Sequence, residues 1–481
     1  MDDSLVPECA QKLEEKYGDL AAFSTTSAAT DLVTFISEYG NDFSTTVYGV
    51  GDGSRWVERA MHLDPAEVTG YVLDNIATTV GVPPNQFLNA SSMGGPFSEV
   101  AETILDLCDE DAACRSRFKK MGLKATLKHL MAKLDKNPNS KCAKALKTAK
   151  TNQDDDPPSF VLRYLLGALI SQEITRTLVP AFVYRILRCA QKDVDVLKFF
   201  MEVLKKTDSK NEDTAMMSFI LDNLILGSEG WESPTPSVSE MKERIEAATL
   251  DLWASYTKVP THCAYSKEKS PACDKLKLGN YKGNGIIYER DEYWNKAAKI
   301  PDQASVMIMS SEMDPNSPSQ YSEYQLAALE GEKKKLFTFK YTAGSNVVDG
   351  QSLPICGMKL LATFVTNEGD FSKMNTTCFE KDAQSTFNWT VPTDYLYAYM
   401  STDDAFDGEF DLSLSEKVKA EAEGSAEPSS AASDGSLSLW ISGSGLAEVI
   451  SFLSGSKRGS VDSLEAHSKA APSDGTVRVV K

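Results

Sequence analysis

Long apolar runs are missing from this sequence. Nothing approaches the ~20 consecutive apolar residues that cross a bilayer, so no membrane-spanning helix is expected. Positive charge is also in short supply, with 50 Lys and Arg against 69 Asp and Glu and a net charge of −19. Binding to phosphates requires clustered cations, which excludes nucleic acid as the main partner. Histidine is scarce: His62, His129, His262 and His467 are the whole supply. The cysteines form no C-x-x-C pair and no His/Cys cluster with zinc spacing, so no metal is expected. The opening MDDSLVPECA lacks a basic start followed by an apolar stretch, so no signal peptide is visible there.

Other features point outward. The sequons at Asn89 (NAS), Asn375 (NTT) and Asn388 (NWT) are glycosylation acceptor patterns. Of the nine cysteines, Cys108 and Cys114, Cys263 and Cys273, and Cys356 and Cys378 lie close in sequence, as local disulfides do. Cys142 and Cys189 are left for a fourth bridge, and Cys9 stays without a partner. An extracellular or secretory compartment is expected from the cysteines and sequons.

With 481 residues and 42% apolar content, the chain can bury a large α/β domain with an insertion. Helical spacing runs over 6–17 and 27–38, a short β-rich run covers 43–48, a helical pattern resumes over 55–63, and 70–73 reads as a buried strand. Strand, helix and strand in this order predict a parallel sheet. From 83 to 282 long helical segments dominate. Strand character returns at 304–310 and 335–341, with helices at 321–329 and 356–366 between and after. Beyond Gly408 the sequence turns to Ser, Ala, Gly and Glu, too polar to offset its ordering entropy, and a disordered tail is expected. Within it, Leu437–Leu453 is mildly apolar. The segment from Arg115 to Lys150 carries twelve Lys and Arg against Asp135 as its one acid, and solvated helix faces account for it more simply than an acidic partner.

The stretch TTVYGVGDGSRWVERAMHLDP (Thr45 to Pro65) reads as strand, glycine-dense turn and helix. Gly49-x-Gly51-x-x-Ser54 approximates a dinucleotide fingerprint, with Asp74 as the acid about 20 residues on, but Ser54 spoils the third position. Gly49 and Gly53 also match the small flanks of a G-x-S-x-G nucleophile elbow. Gly51 then occupies the nucleophile position. Asp52 as a substitute nucleophile would put Val50 and Ser54 where small flanks belong. Ser54 reads as the N-cap of the helix, and His62 lies over two helical turns further on.

Taken onward, YGVGDGSRWVERAMHLDPAEVTGYVLDNIATT resembles the elbow region of α/β-hydrolase serine peptidases of the prolyl- and tripeptidyl-aminopeptidase type, a secreted family. ASVMIMSSEMDPNSP (Ala304 to Pro318) is similar to that family's acid-bearing loop, and FTFKYTAG with PICGMKLLATFV to its last strand, histidine loop and final helix. The likeness covers about 6–407. It implies an α/β class with a partial α/β-hydrolase fold, a mostly parallel sheet with flanking helices and a large α-helical cap insertion, to which the composition adds the disordered C-terminal tail. The implied divisions are 1–82 and 283–407 for the hydrolase core, 83–282 for the cap and 408–481 for the tail.

By the same resemblance Asp314 is the triad acid, Gly51 stands at the vacant serine position, and Asp52 offers a backbone N–H to an oxyanion. No histidine stands in the loop after Tyr341. The early strands that carry the family's other oxyanion donor have no counterpart in 1–44, so the chain is expected to be shortened relative to the family, leaving a sheet edge open. Glu229 and Glu232 are candidates for holding a substrate amine. The implied function is that of a serine-aminopeptidase relative without a competent triad, binding peptides or a protein surface through the cap. Residual exopeptidase or esterase activity is the alternative reading, and a dinucleotide site the remote one. No cofactor is required.

Overall fold

A computed structural model describes residues 3–40, 44–146, 156–210, 218–347, 356–382, 387, 389–424 and 477–480. Helices α1 (Val6–Tyr17) and α2 (Thr25–Tyr39) precede strand β1 (Thr45–Gly51), helix α3 (Gly53–His62) and strand β2 (Val68–Ile76). A helical block follows, from Gly94–Glu110 to Pro271–Leu276. The chain then returns as β3 (Ser305–Ser311), α4 (Ser319–Ala328), β4 (Lys334–Phe339) and α5 (Cys356–Thr366). The strands β1 to β4 are mutually parallel, in spatial order β4-β3-β2-β1. The molecule is therefore α/β, with a parallel sheet flanked by helices.

Burial on both faces explains why β2 and β3 read as apolar runs rather than as alternating ones. Val47, Leu73, Val306 and Ile308 pack on one face against Val57, Ala60 and Met61 of α3 and Ile36 of α2. Tyr48, Val72, Met307 and Phe337 pack on the other against Leu360, Leu361 and Phe364 of α5. The helical block has its own core, built around residues such as Leu127, Leu165, Phe182 and Phe200. Four disulfides join Cys108 to Cys114, Cys142 to Cys189, Cys263 to Cys273 and Cys356 to Cys378, and Cys9 is free. No helix among the described residues is long and apolar enough to cross a membrane.

Several expectations shift. The first strand runs on to Gly51 rather than ending at Tyr48, and its neighbour spans nine residues. The chain does not lose structure at Gly408. Helix α6 (Leu412–Gly424) continues it, with Ser415 buried and its amide bonded by Ser401 Oγ at 3.2 Å. Strand β5 (Val477–Val480) pairs antiparallel with β1 from Thr46↔Val480 to Gly49↔Val477. The β1 edge expected to stand open thus carries a strand, because its unpaired N–H and C=O groups are a template for any extended segment within reach. The apolar stretch Leu437–Leu453 and the Asn388 sequon lie outside the described residues.

Candidate active site at the C-terminal ends of the strands

In open parallel sheets, groups gather where the strands end in loops, and the sequence-derived positions 51, 74 and 314 all lie there. β1 ends at Gly51, whose φ of +56° lies in the left-handed region. That conformation is comfortable for glycine and strained for any other residue. Gly49 serves a different end: a Cβ there would overlap the Gly53 carbonyl oxygen and lie 2.7 Å from Val57 Cγ2. Strand and helix meet too closely for a side chain at 49.

Ser54 locks this turn from below. Its hydroxyl donates to Gly51 O at 2.6 Å and accepts from the Ala77 amide at 3.1 Å. Ser54 is therefore not the N-cap expected from the sequence. Helix α3 begins at Gly53 with Asp52 in the cap position, so Ser54 falls inside the first turn and is buried. Arg55 adds a bond from Nε to Ala77 O at 2.6 Å, which ties the turn to the exit of β2. The Asp52 side chain is 81% exposed, and only its backbone follows the turn position.

Near its end β2 carries Asp74 and Asn75. Asp74 is sealed: Tyr48 Oη donates to it at 2.7 Å, Ser345 Oγ at 3.0 Å and Asn346 Nδ2 at 2.7 Å, and the Asn346 amide adds another bond at 3.0 Å. Burial pushes its carboxyl up to about 6, against the pull of these donors. A carboxylate so enclosed offers nothing to a ribose in the groove.

Asn75, with φ of +51°, hands the network on. Its Oδ1 accepts from Asn346 Nδ2 at 2.9 Å, and its Nδ2 donates to Asp314 Oδ2 at 2.7 Å. Asp314, on the loop after β3, also accepts from the Gly344 amide at 3.1 Å and the Asn316 amide at 2.9 Å. Burial raises its pKa, and these donors, with the Arg176 charge, lower it. Arg176, fully buried and reaching in from the helical block, braces both flanking loops by donating to Met313 O at 3.0 Å and Tyr341 O at 3.2 Å.

The loop after β4 meets Asp314 through a backbone amide of Gly344. The described histidines are occupied elsewhere. His62 Nε2 lies 3.1 Å from Lys296 O, with its ring stacked on Tyr293. His262 stacks on Trp231 and faces Glu268 at 3.6 Å. His129 is exposed on the helix Gly122–Lys136, and His467 lies outside the described residues.

Glu229 and Glu232 are not brought together as a pair of free acids. Glu229, buried, faces Arg59 of α3 at 3.3 Å and accepts from Tyr288 Oη at 2.9 Å. Glu232 accepts from Arg244 at 2.8 Å and from Ser91 Oγ at 3.2 Å. Each acid already holds a cation of the protein. The basic segment 115–150 is likewise met by acids from elsewhere, Lys124 by Asp106, Lys128 by Glu102 and Arg117 by Asp407.

Sequence reasoning missed Tyr48, Asn75, Arg176, Ser345 and Asn346. Only Asn75 left a trace, as an Asp-Asn pair ending an apolar run, a combination that tolerates left-handed backbone. No group of three or more metal-binding side chains occurs among the described residues. No family model matches the chain, and no curated protein matches it.

Proposed function

We propose that this chain is a degenerate relative of the α/β-hydrolase serine aminopeptidases of the prolyl and tripeptidyl type, one that binds peptides or a protein surface rather than cleaving them. The observation that carries this reading is the Gly51 turn. It has the strand-turn-helix setting and left-handed backbone of a nucleophile position, and an added Cβ would meet no heavy atom within 4 Å. The place for a side chain is there, and the side chain is not.

Acyl transfer needs a nucleophilic oxygen and a base to take its proton. Gly51 supplies no oxygen, and residues 342–347 supply no imidazole. Losing the serine or the histidine alone costs on the order of 10⁶ in turnover in a well-studied hydrolase. Ser54 is no replacement, since its proton is committed to Gly51 O. Asp314 supports the family reading and the loss together: it lies beside the expected loop, yet amides of Asn75, Gly344 and Asn316 take the places an imidazole would use. The helices of 83–282 would be the cap and the binding surface. The disulfides support an oxidising, extracellular setting.

The test is a fluorophosphonate probe together with fluorogenic aminoacyl and tripeptidyl substrates on the purified protein. Neither labelling nor turnover is expected. Peptide binding should be indifferent to N-acetylation, since Glu229 and Glu232 are already neutralised by Arg59 and Arg244. A stoichiometric adduct mapped to any side chain defeats the reading.

A further inference from the structure

Helix α3, which leaves the Gly51 turn, carries a buried acid that nothing above uses. Glu58 is 4% exposed and wedged between the exit of β2 and helix α4. Its Oε1 accepts from Gln325 Nε2 at 3.0 Å, while its Oε2 lies 3.5 Å from Thr78 Oγ1, at the far limit of a hydrogen bond. Among the described residues no cation pairs with it. The two arginines nearest in sequence act on it only at a distance and bond elsewhere: Arg55 bonds Ala77 O and faces Asp52, and Arg59 bonds Tyr293 O and Glu229. A buried carboxylate with one good donor and no cation is costly.

The second observation belongs to the partner. Gln325 is 1% exposed, and its Oε1 has no hydrogen-bond partner among the described residues. A buried amide with its donor used and its acceptor idle calls for a proton on the group facing it. We propose that Glu58 is held as a neutral carboxylic acid and closes a two-bond ring with the Gln325 amide, a proton-operated latch between α3 and α4 beneath the Gly51 turn. In the ring, Gln325 N–H donates to one carboxyl oxygen and the carboxyl O–H donates to Gln325 Oε1. One proton satisfies both groups, and its loss leaves an anion facing an amide oxygen.

The titration agrees with the geometry. Burial pushes Glu58 up to about 7, opposed by the Gln325 bond, the charges of Arg59 and Arg55, and Thr78. The groups facing it from the other elements, Gln325 on α4 and Thr78 after β2, do not titrate. The latch sits where it can be felt at the site. α4 follows the loop that carries Asp314, and Thr78 follows Asn75, so the two ends of the Asn75–Asp314 bond rest on either side of it. The sign follows from the folded value lying above the unfolded one. Protonation is shared by both states below about pH 4.5, and stability falls as pH rises from there to about 7, then levels.

The test compares unfolding midpoints of the wild type, Glu58→Gln and Gln325→Met across that range. Glu58→Gln keeps a donor and an acceptor without a charge. It should match the wild type at acid pH and exceed it at alkaline pH, by up to on the order of a hundredfold in the folding equilibrium from the gap between 4.5 and about 7. Infrared spectra of the wild type at neutral pH should show a carboxylic acid carbonyl band that Glu58→Gln lacks. Gln325→Met withdraws both ring bonds from the acid but only one from the anion, so the fall should still begin near pH 4.5 and end at lower pH than in the wild type. A Glu58→Gln variant weaker than wild type by the same amount at every pH overturns the proposal. So does an unshifted Gln325→Met profile, or the absence of the protonated carbonyl band.

Discussion

Placing a serine at Gly51 probes the turn in its backbone and in its chemistry. Left-handed backbone costs a residue with a Cβ about 1–2 kcal/mol, and φ at 51 is +56°. No further penalty is expected, because no heavy atom lies within 4 Å of the added Cβ. Gly51→Ser should therefore lower stability by about 1–2 kcal/mol. Gly49→Ser is the control. Its Cβ would overlap the Gly53 carbonyl oxygen and lie 2.6 Å from the carbonyl carbon, so β1 and α3 must separate. Because the overlap is with backbone, Gly49→Ser should cost about 3 kcal/mol, the upper end of the overpacking range. Parallel denaturant titrations give the order of the two. Gly51→Ser should gain no peptidase activity, because a missing histidine still costs on the order of 10⁶. At about 1.36 kcal/mol per tenfold, that is about 8 kcal/mol of barrier. A Gly51→Ser variant less stable than Gly49→Ser, or one turning over aminoacyl substrates at about 10 s⁻¹, would refute the description of this turn.

Glu229→Ala takes the nearer carboxylate from Arg59 and leaves it only Asp291 at 3.9 Å, in a site where the Glu229 and Arg59 side chains are 6% and 5% exposed, and should cost about 3 kcal/mol by thermal or chemical unfolding. Glu232→Ala breaks a pair exposed at 33% and 42% and should stay within about 1 kcal/mol. Alkylation of the unfolded but unreduced protein should modify Cys9 and no other cysteine, as read by peptide mass mapping. Removing Cys142–Cys189, which closes 47 residues, should cost about 4 kcal/mol, against about 2 kcal/mol for Cys108–Cys114, which closes 6. Passed through a glycosylating secretory pathway, the protein should carry glycan at exposed Asn375 and none at Asn89, which is 8% exposed in the fold. Glycan at Asn89 would contradict the packing there.

The elements that read most clearly were those whose environment is uniform. Helix α5 begins and ends at the residues its periodicity picks out, Cys356 and Thr366. Strand β3 lies within a residue of its apolar run, because burial on both sheet faces demands largely apolar sequence, and β4, whose burial alternates, lies within two residues of its reading. The cysteine pairs were legible where sequence neighbours are also spatial neighbours. Polar positions were not legible in that way. Ser54 looked like a cap because the helix was started two residues late. Glu229 and Glu232 looked available because their arginines, Arg59 and Arg244, lie 170 and 12 residues away. Helix α6 was missed because a polar, Ser-rich composition shows nothing of the Ser401 contact that holds its first turn.

What the sequence determined by itself is chemical inventory: position 51 bears no nucleophile, the loop after Tyr341 bears no imidazole, and no fold can add either. What only the tertiary structure decided is how the remaining polar groups are used. Asp74 and Asp314 are joined through Asn346 and Asn75 across separations of 272, 271 and 239 residues. Periodicity records which face of an element is buried, but a hydrogen bond between buried side chains depends on distance and direction in space, and neither is written along the chain.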